Sequence, residues 1–320
     1  MFDRVLVPLD GSPLAECVLP HVRAFAKSFN SQITLVHVLE QPSASIGFPK
    51  ADPLDWYLKK SEANLYLEAL KARLEEAGVV VHTLLLEGRA SEQIIELAHT
   101  SKVDLLILNG NTEGNAHSLS STVMKIMQGV WTSLLLVRTT QPVMTPIQDL
   151  NYQRLLVPLD GSQRAGAVLT LVTALTRMHH ADLLLVHIVT KPEMARHMPL
   201  SQDDVDLTNR FVERNQEEGR KYLEQIQAHL PEKTQTHLMV SDNVAVTLQT
   251  LSEQERIDLL VLSAHGYSGE ARWPYGSVTN RFITNGTTSL LIIQDLPPET
   301  SDSTPTHVET RQSARSLDSQ

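Results

Sequence analysis

A chain that contains itself twice has few ways to fold. The hexapeptide VPLDGS at residues 7–12 returns at 157–162, and LVHV at 35–38 returns as LVHI at 185–188, both at an offset of 150. DLLIL at 104–108 returns as DLLVL at 258–262, and TSLLLV at 132–137 returns as TSLLII at 288–293, at offsets of 154 and 156. Four collinear matches with a slowly growing offset mean an internal duplication, with a few residues inserted into loops of the second copy. A length of 320 residues leaves each copy enough chain for one domain core.

Each copy reads as strands alternating with helices. Residues 4–9 are short, apolar and rich in valine, and the Asp10-Gly11-Ser12 turn stops them. Ser12 is placed to cap a helix with Pro13 at its first position, and Pro20 falls inside that helix, where it should kink it. Further strands are expected near 32–39, 79–86, 104–108 and 133–137. A long helix near 53–77 carries Ala63, Tyr66, Leu67, Leu70 and Leu74 on one stripe, matched by Gly219, Tyr222, Leu223, Ile226 and Leu230. Short apolar strands alternating with helices call for a parallel sheet covered on both faces. The expected fold is α/β: two doubly wound five-stranded parallel-sheet domains in tandem, with right-handed crossovers. The domains are expected at 1–140 and 151–296, joined by a linker at 141–150 that contains Pro142 and Pro146. The Ser, Thr, Pro and charge of 297–320, without an aromatic residue, read as a disordered tail.

Charge excludes one class of partner. Against 37 Asp and Glu stand 27 Lys and Arg, a net charge of −10, so the clustered positive charge that nucleic acid requires is missing. The single Cys17 cannot form an internal disulfide and reads as a small buried apolar residue in a reducing compartment. The start of the chain does not read as a secretory signal, and no apolar run approaches the ~18 residues of a membrane span. A cytoplasmic protein is expected, with neither membrane nor nucleic acid as partner.

In an open α/β sheet, ligands sit beyond the carboxyl ends of the strands, where strand order reverses. Two loops of the second copy suit that place. Val157-Pro158-Leu159-Asp160-Gly161-Ser162 ends its first strand; Ser263-Ala264-His265-Gly266 follows its fourth, and after nine residues comes Gly276-Ser277-Val278. A glycine before a helix lets backbone N–H groups approach an anion, and the helix N-terminus supplies partial positive charge. Ser277 adds a hydroxyl donor, and Arg272 within the nine residues is placed to face a phosphate.

These residues resemble the universal stress protein family in its tandem, two-domain form, over roughly 1–140 and 151–295. The resemblance implies a Rossmann-like fold of the adenine-nucleotide alpha hydrolase type. Its nucleotide-binding members carry Gly-x2-Gly-x9-Gly-Ser/Thr after the fourth strand and an Asp after the first. The second copy matches through Asp160, Gly266, Gly276 and Ser277. It departs at the first glycine, here Ser263, and carries an unusual Trp273-Pro274 in the loop. The resemblance implies that Asp160 meets the ribose, that the Ile188 backbone holds adenine, and that Gly266, Gly276 and Ser277 take the phosphates. Pro158, Ser263 and Val278 complete the implied site. The implied ligand is ATP or a related adenine nucleotide, with Mg accompanying ATP.

The first copy departs further. It reads Asn109-Gly110-Asn111-Thr112-Glu113-Gly114 after its fourth strand, and the late Gly-Ser position is read as Ser121-Thr122. Asp10 remains, but Glu113 would repel phosphate, so this half is expected to be structural.

Other constellations carry less. His179 and His180 close a helix, where a protonated imidazole is favoured, and no ligand spacing joins them to His187 for a metal. His37 and His187 share one strand position and read as structural or pocket-wall residues. A Gly-x-Ser-x-Gly elbow and a Gly-x4-Gly-Lys loop are both missing from the sequence. The expected function is a nucleotide-responsive stress protein that signals through shape or assembly and is not an enzyme. The alternatives are a ligand-free partner-binding tandem domain and an ATP hydrolase with Asp160 as its one candidate base. The apolar last strands of the two copies would be sheet edges and are expected to pair with each other, and a homodimer of tandem chains is expected.

Overall fold

The computed structural model describes residues 1–40, 52–111, 119–138, 147, 149–192, 201–231, 233–266 and 274–294, without the side chains of 163–165 and 167. Most of the expected linker and the whole expected tail lie outside the described residues. The first copy runs β1 (Arg4–Pro8), a 3-10 turn (Ala15–Val18), α1 (Leu19–Phe29), β2 (Gln32–Leu39), α2 (Pro53–Glu76) and β3 (Val81–Glu87). It closes with α3 (Ala90–Thr100), β4 (Leu105–Asn109), α4 (Ser121–Gly129) and β5 (Ser133–Val137). The second copy repeats the plan as β6 (Arg154–Pro158), α5 (Gln163–His179), β7 (Asp182–Val189), α6 (Gln202–Gln227) and β8 (Thr234–Val240). It ends with α7 (Val244–Gln254), β9 (Leu259–Ser263), α8 (Ser277–Asn285) and β10 (Ser289–Ile293).

All ten strands form one sheet in the order β3-β2-β1-β4-β5-β10-β9-β6-β7-β8. Every neighbouring pair is parallel except β5 and β10, which run antiparallel with Leu136 opposite Leu290 and Leu134 opposite Ile292. The last strands of the two copies thus pair inside the chain, so neither β5 nor β10 is a sheet edge, and β3 and β8 are the outer strands. Ser133 and Ser289 finish this seam symmetrically. The Arg138 N–H donates to the Ser289 hydroxyl at 3.0 Å, and the Gln294 N–H donates to the Ser133 hydroxyl at 3.1 Å.

Alternation along the strands builds two cores. Val5, Val7, Leu135 and Val137 face one apolar layer, which α1, α2, α5 and α6 cover; Leu6, Leu134 and Leu136 face the other, under α3, α4, α7 and α8. Asp104 and Asp258, the repeated acids before β4 and β9, fasten the sheet at its other end. Asp104 Oδ2 accepts the N–H groups of Asp3 and Arg4 at 3.0 and 2.8 Å, and Asp258 Oδ2 accepts those of Gln153 and Arg154 at 2.5 and 2.8 Å.

Pro20 falls in the first turn of an α-helix and not in its interior. The Ser12 hydroxyl accepts the Ala15 N–H at 3.1 Å at the start of the short 3-10 turn, which passes directly into α1 with Pro20 in its first turn. Proline has no N–H to give to an earlier carbonyl and its ring is tolerated at a helix start, which fits the change from 3-10 to α geometry just before it. The second copy has Thr170 at that position, and its α5 runs unbroken for 17 residues against 11 in α1.

Candidate functional site

Strand order reverses between β1 and β4, and again between β6 and β9, so each copy opens a crevice at the carboxyl ends of those strands. In the second copy β6 ends at Pro158, and the Leu159 N–H still donates to Val186 O at 2.8 Å. The chain then turns sharply through Gly161, whose φ of +82° suits glycine, and Asp160 Oδ1 accepts the Ser162 N–H at 2.9 Å. The turn aims the other carboxylate oxygen across the crevice. A Cβ built on Gly266 would stand 2.5 Å from Asp160 Oδ2, so glycine at 266 is what lets the two loops meet.

The far side of the crevice is equally specific. The Ser263 hydroxyl donates to the carbonyl of His265, which folds the post-β9 loop on itself. Gly276 returns to this loop, its N–H donating to Ala264 O at 2.7 Å, and the Thr279 hydroxyl donates to Ser263 O at 3.1 Å. Gly276 is the N-cap of α8 and has an ordinary φ of −67°, with no side-chain hydrogen bond capping the helix. A Cβ there would meet only ordinary contacts, at 3.5 Å from Ala264 O. The fold itself therefore does not demand glycine at 276. Ser277 is exposed at the start of α8, while Val278 and Ile188 pack with Tyr275 at the rim of one apolar cluster. Pro158, Asp160, Ser263, Gly266, Gly276, Ser277 and Val278 thus converge, with Ile188 beside them; Arg272 and Trp273 lie outside the described residues.

His187 and Tyr222 line the same crevice. The His187 Nδ1–H donates to Leu159 O at 2.7 Å, and the ring packs edge-on to Tyr222 at 6.0 Å, as His37 does to Leu9 O at 2.8 Å and to Tyr66 at 6.2 Å. Burial, and then the Asp160 charge, push the Tyr222 phenol up. Gly219 opens the wall, since a Cβ there would stand 2.7 Å from His187 Cδ2.

The first copy carries charged side chains around the equivalent tyrosine. Glu16 and Arg73 form an ion pair at 2.9 Å, and burial followed by the Glu16 and Asp10 charges push the Tyr66 phenol up. The second copy has Gly166 and His229 at those places, and a Cβ on Gly166 would meet nothing within 4 Å. Asn109 Nδ2 donates to Leu14 O at 2.5 Å and ties the first copy's two loops together. The helix starts also differ. Ser120, not Ser121, corresponds to Gly276, because α4 begins at Ser121 and α8 at Ser277; the sequence register was one residue off. The Ser120 hydroxyl accepts the Val123 N–H at 3.1 Å and so caps α4 from within. Thr112, Glu113 and Gly114 lie outside the described residues.

A model of the universal stress protein family matches residues 1–138 and 151–294, which is most of the chain. The chain belongs to that family. Among its curated relatives, Universal stress protein MJ0531 of Methanocaldococcus jannaschii is 27% identical over 142 residues, covering 43% of this chain and 83% of the relative. Universal stress protein Sll1654 of Synechocystis sp. is 30% identical over 132 residues, covering 39% of this chain and 81% of the relative. The two-domain arrangement also has a counterpart among solved structures. A universal stress protein from Archaeoglobus fulgidus superposes with a TM-score of 0.63 at 16% identity, covering 91% of this chain and 97% of its own. This likeness shows the shared fold.

One further feature of this universal stress protein lay beyond sequence reading. His179 ends α5 but turns inward: it packs edge-on to Tyr152 at 5.0 Å, and burial pushes its imidazole down. Among the described residues no group of three His, Cys, Asp or Glu could hold a metal ion, and no helix is long and apolar enough to cross a membrane.

Proposed function

We propose that this universal stress protein binds one adenine nucleotide in its second copy, ATP with Mg as counter-cation, and answers by a change of shape or assembly. The observation that carries the reading is the start of α8. Its N-terminus has a glycine that the fold does not need and no side-chain cap, and it faces the Asp160 carboxylate across Gly266. A position free of side chain, beside free helical N–H groups, fits close approach by phosphate. Asp160 is placed for a ribose hydroxyl, and Ser277 for a phosphate oxygen. The first copy serves as scaffold in this reading, because Ser120 takes the helix cap and Glu16 and Arg73 pair beside Tyr66, where the second copy has Gly166 and His229.

No residue is assigned to catalysis in this reading. The protein is proposed to work in the cytoplasm, and to form a homodimer through a surface other than β5 and β10, since both neighbours of each strand are already paired. Denaturing the purified protein and identifying the released small molecule tests the reading. An adenine nucleotide supports it; a nucleotide-free protein that also ignores added Mg-ATP contradicts it.

A further inference from the structure

α8 joins two loops that belong to different copies. Its first turn starts at the proposed phosphate site, and about 13 Å further along its axis its last turn ends against Arg138, the residue after β5. Arg138 Nη1 donates to Gly110 O at 2.5 Å, Arg138 Nη2 donates to Ile283 O, and the Arg138 N–H is held by the Ser289 hydroxyl. Ile283 O is one of the last four carbonyls of α8, which have no partner inside the helix, and a guanidinium there meets the negative end of the helix dipole. Gly110 directly follows β4, and a Cβ on it would stand 2.9 Å from Arg138 Nε, so glycine lets the guanidinium lie against this loop. The next residues continue the connection. The Asn111 N–H donates to Asn109 Oδ1 at 2.9 Å, and Asn109 Nδ2 reaches Leu14 O. Burial pushes the guanidinium down only to about 10, so it stays charged at neutral pH. At the end of β10 the corresponding residue is the uncharged Gln294.

We propose that Arg138 is a positioning residue for the second-copy site: it sets where α8 stands, and it carries a displacement of α8 into the Asn109–Asn111 loop of the first copy. The ligand named in this proposal rests on the nucleotide reading above; the mechanical link does not. A planar fork with two donors can hold two carbonyls at once, whereas a lysine ammonium offers one compact charge on a flexible stem.

Amide hydrogen exchange of residues 109–111 in the full chain tests the link without any ligand. Thr279→Val removes the hydroxyl bond to Ser263 O at the start of α8. With Arg138 present it is expected to speed exchange at 109–111 at least threefold, and with Arg138→Met the same change is expected to have under half that effect. Arg138→Lys, which keeps charge and bulk, is expected to fall between, and it decides the matter if the methionine variant does not fold. Equal acceleration with and without Arg138, or none in either, overturns the proposal. In a second arm, millimolar Mg-ATP is expected to slow exchange at 109–111 at least threefold in the wild type and clearly less in Arg138→Lys. If ATP protects 109–111 equally in both, the link is overturned. A wild type that binds no nucleotide overturns the nucleotide reading alone, and the ligand-free comparison still decides the role of Arg138.

Discussion

The Asp160 carboxylate and the Gly266 Cα lie so close that a Cβ on Gly266 would stand 2.5 Å from Asp160 Oδ2. That close approach brings the turn after β6 against the loop after β9, the two strands between which the order of the sheet reverses.

The Gly266 contact makes the first prediction one of stability. Gly266→Ala forces the carboxylate aside and is expected to cost about 1–3 kcal/mol in a urea titration, the range of small-to-large changes at packed sites. Asp160→Ala removes the obstructing oxygen, so the double variant should lose clearly less than the two single losses added together. Strict additivity would mean that the two residues do not press on each other.

Gly276 behaves in the opposite way. Its backbone is ordinary and a Cβ would meet neighbours at 3.5 Å, so Gly276→Val should cost less than about 1 kcal/mol of stability. Its effect is expected on the ligand. Loss of close phosphate approach should weaken ATP by about 2 kcal/mol, the scale of charge-assisted hydrogen bonds. Equal losses of stability and affinity would place the requirement for glycine in the fold instead.

The first copy should not respond to such changes at its own helix start. Ser120→Ala removes the cap of α4 and is expected to cost about 1 kcal/mol of stability while leaving ATP affinity unchanged. Asp10→Ala and Ser121→Val should likewise leave the affinity within about twofold of the wild type. A large drop from any of these three would move the site, or a second one, into the first copy.

Much of this fold is legible in the sequence because the duplication repeats whole strand ends: VPLDGS carries the same Asp-Gly-Ser turn in both copies, with φ near +84° at Gly11 and +82° at Gly161. The glycines of the candidate site show for a different reason: Gly266 and Gly276 stand at the Gly-x9-Gly-Ser spacing of the second copy alone. What the sequence hides is contact across the seam. Arg138, Ser289 and Ile283 are far apart along the chain, and no local period marks an arginine that will end on a helix of the other copy. The one-residue slip at Ser120 has a related cause, since serine at 120 and 121 satisfies the same motif and only the helix start separates them.

The junction between the copies should be sensitive to acid. The His21 Nδ1 lies 2.8 Å from the Tyr152 hydroxyl, both side chains are buried, and burial pushes the imidazole down from 6.5 to about 4. Unfolding restores its ordinary value, so between pH 6.5 and 4 the unfolded chain binds the extra proton and stability falls as the pH falls. The loss through His21 is on the order of 2–3 kcal/mol across that window, and none of it is present above pH 7. His179, pushed down by the same cause, adds a loss of the same sign. His21→Asn should flatten the dependence of the urea midpoint on pH between 6.5 and 4.5. An unchanged slope would mean that His21 does not report the junction.

Isothermal titration of the full chain with Mg-ATP tests the central claim most directly. The asymmetry between an uncapped, glycine-started α8 and a serine-capped α4 predicts one nucleotide per chain, weakened by about 2 kcal/mol in Gly276→Val and unchanged in Ser121→Val. Two equivalent sites per chain, or no heat at millimolar Mg-ATP, would contradict it.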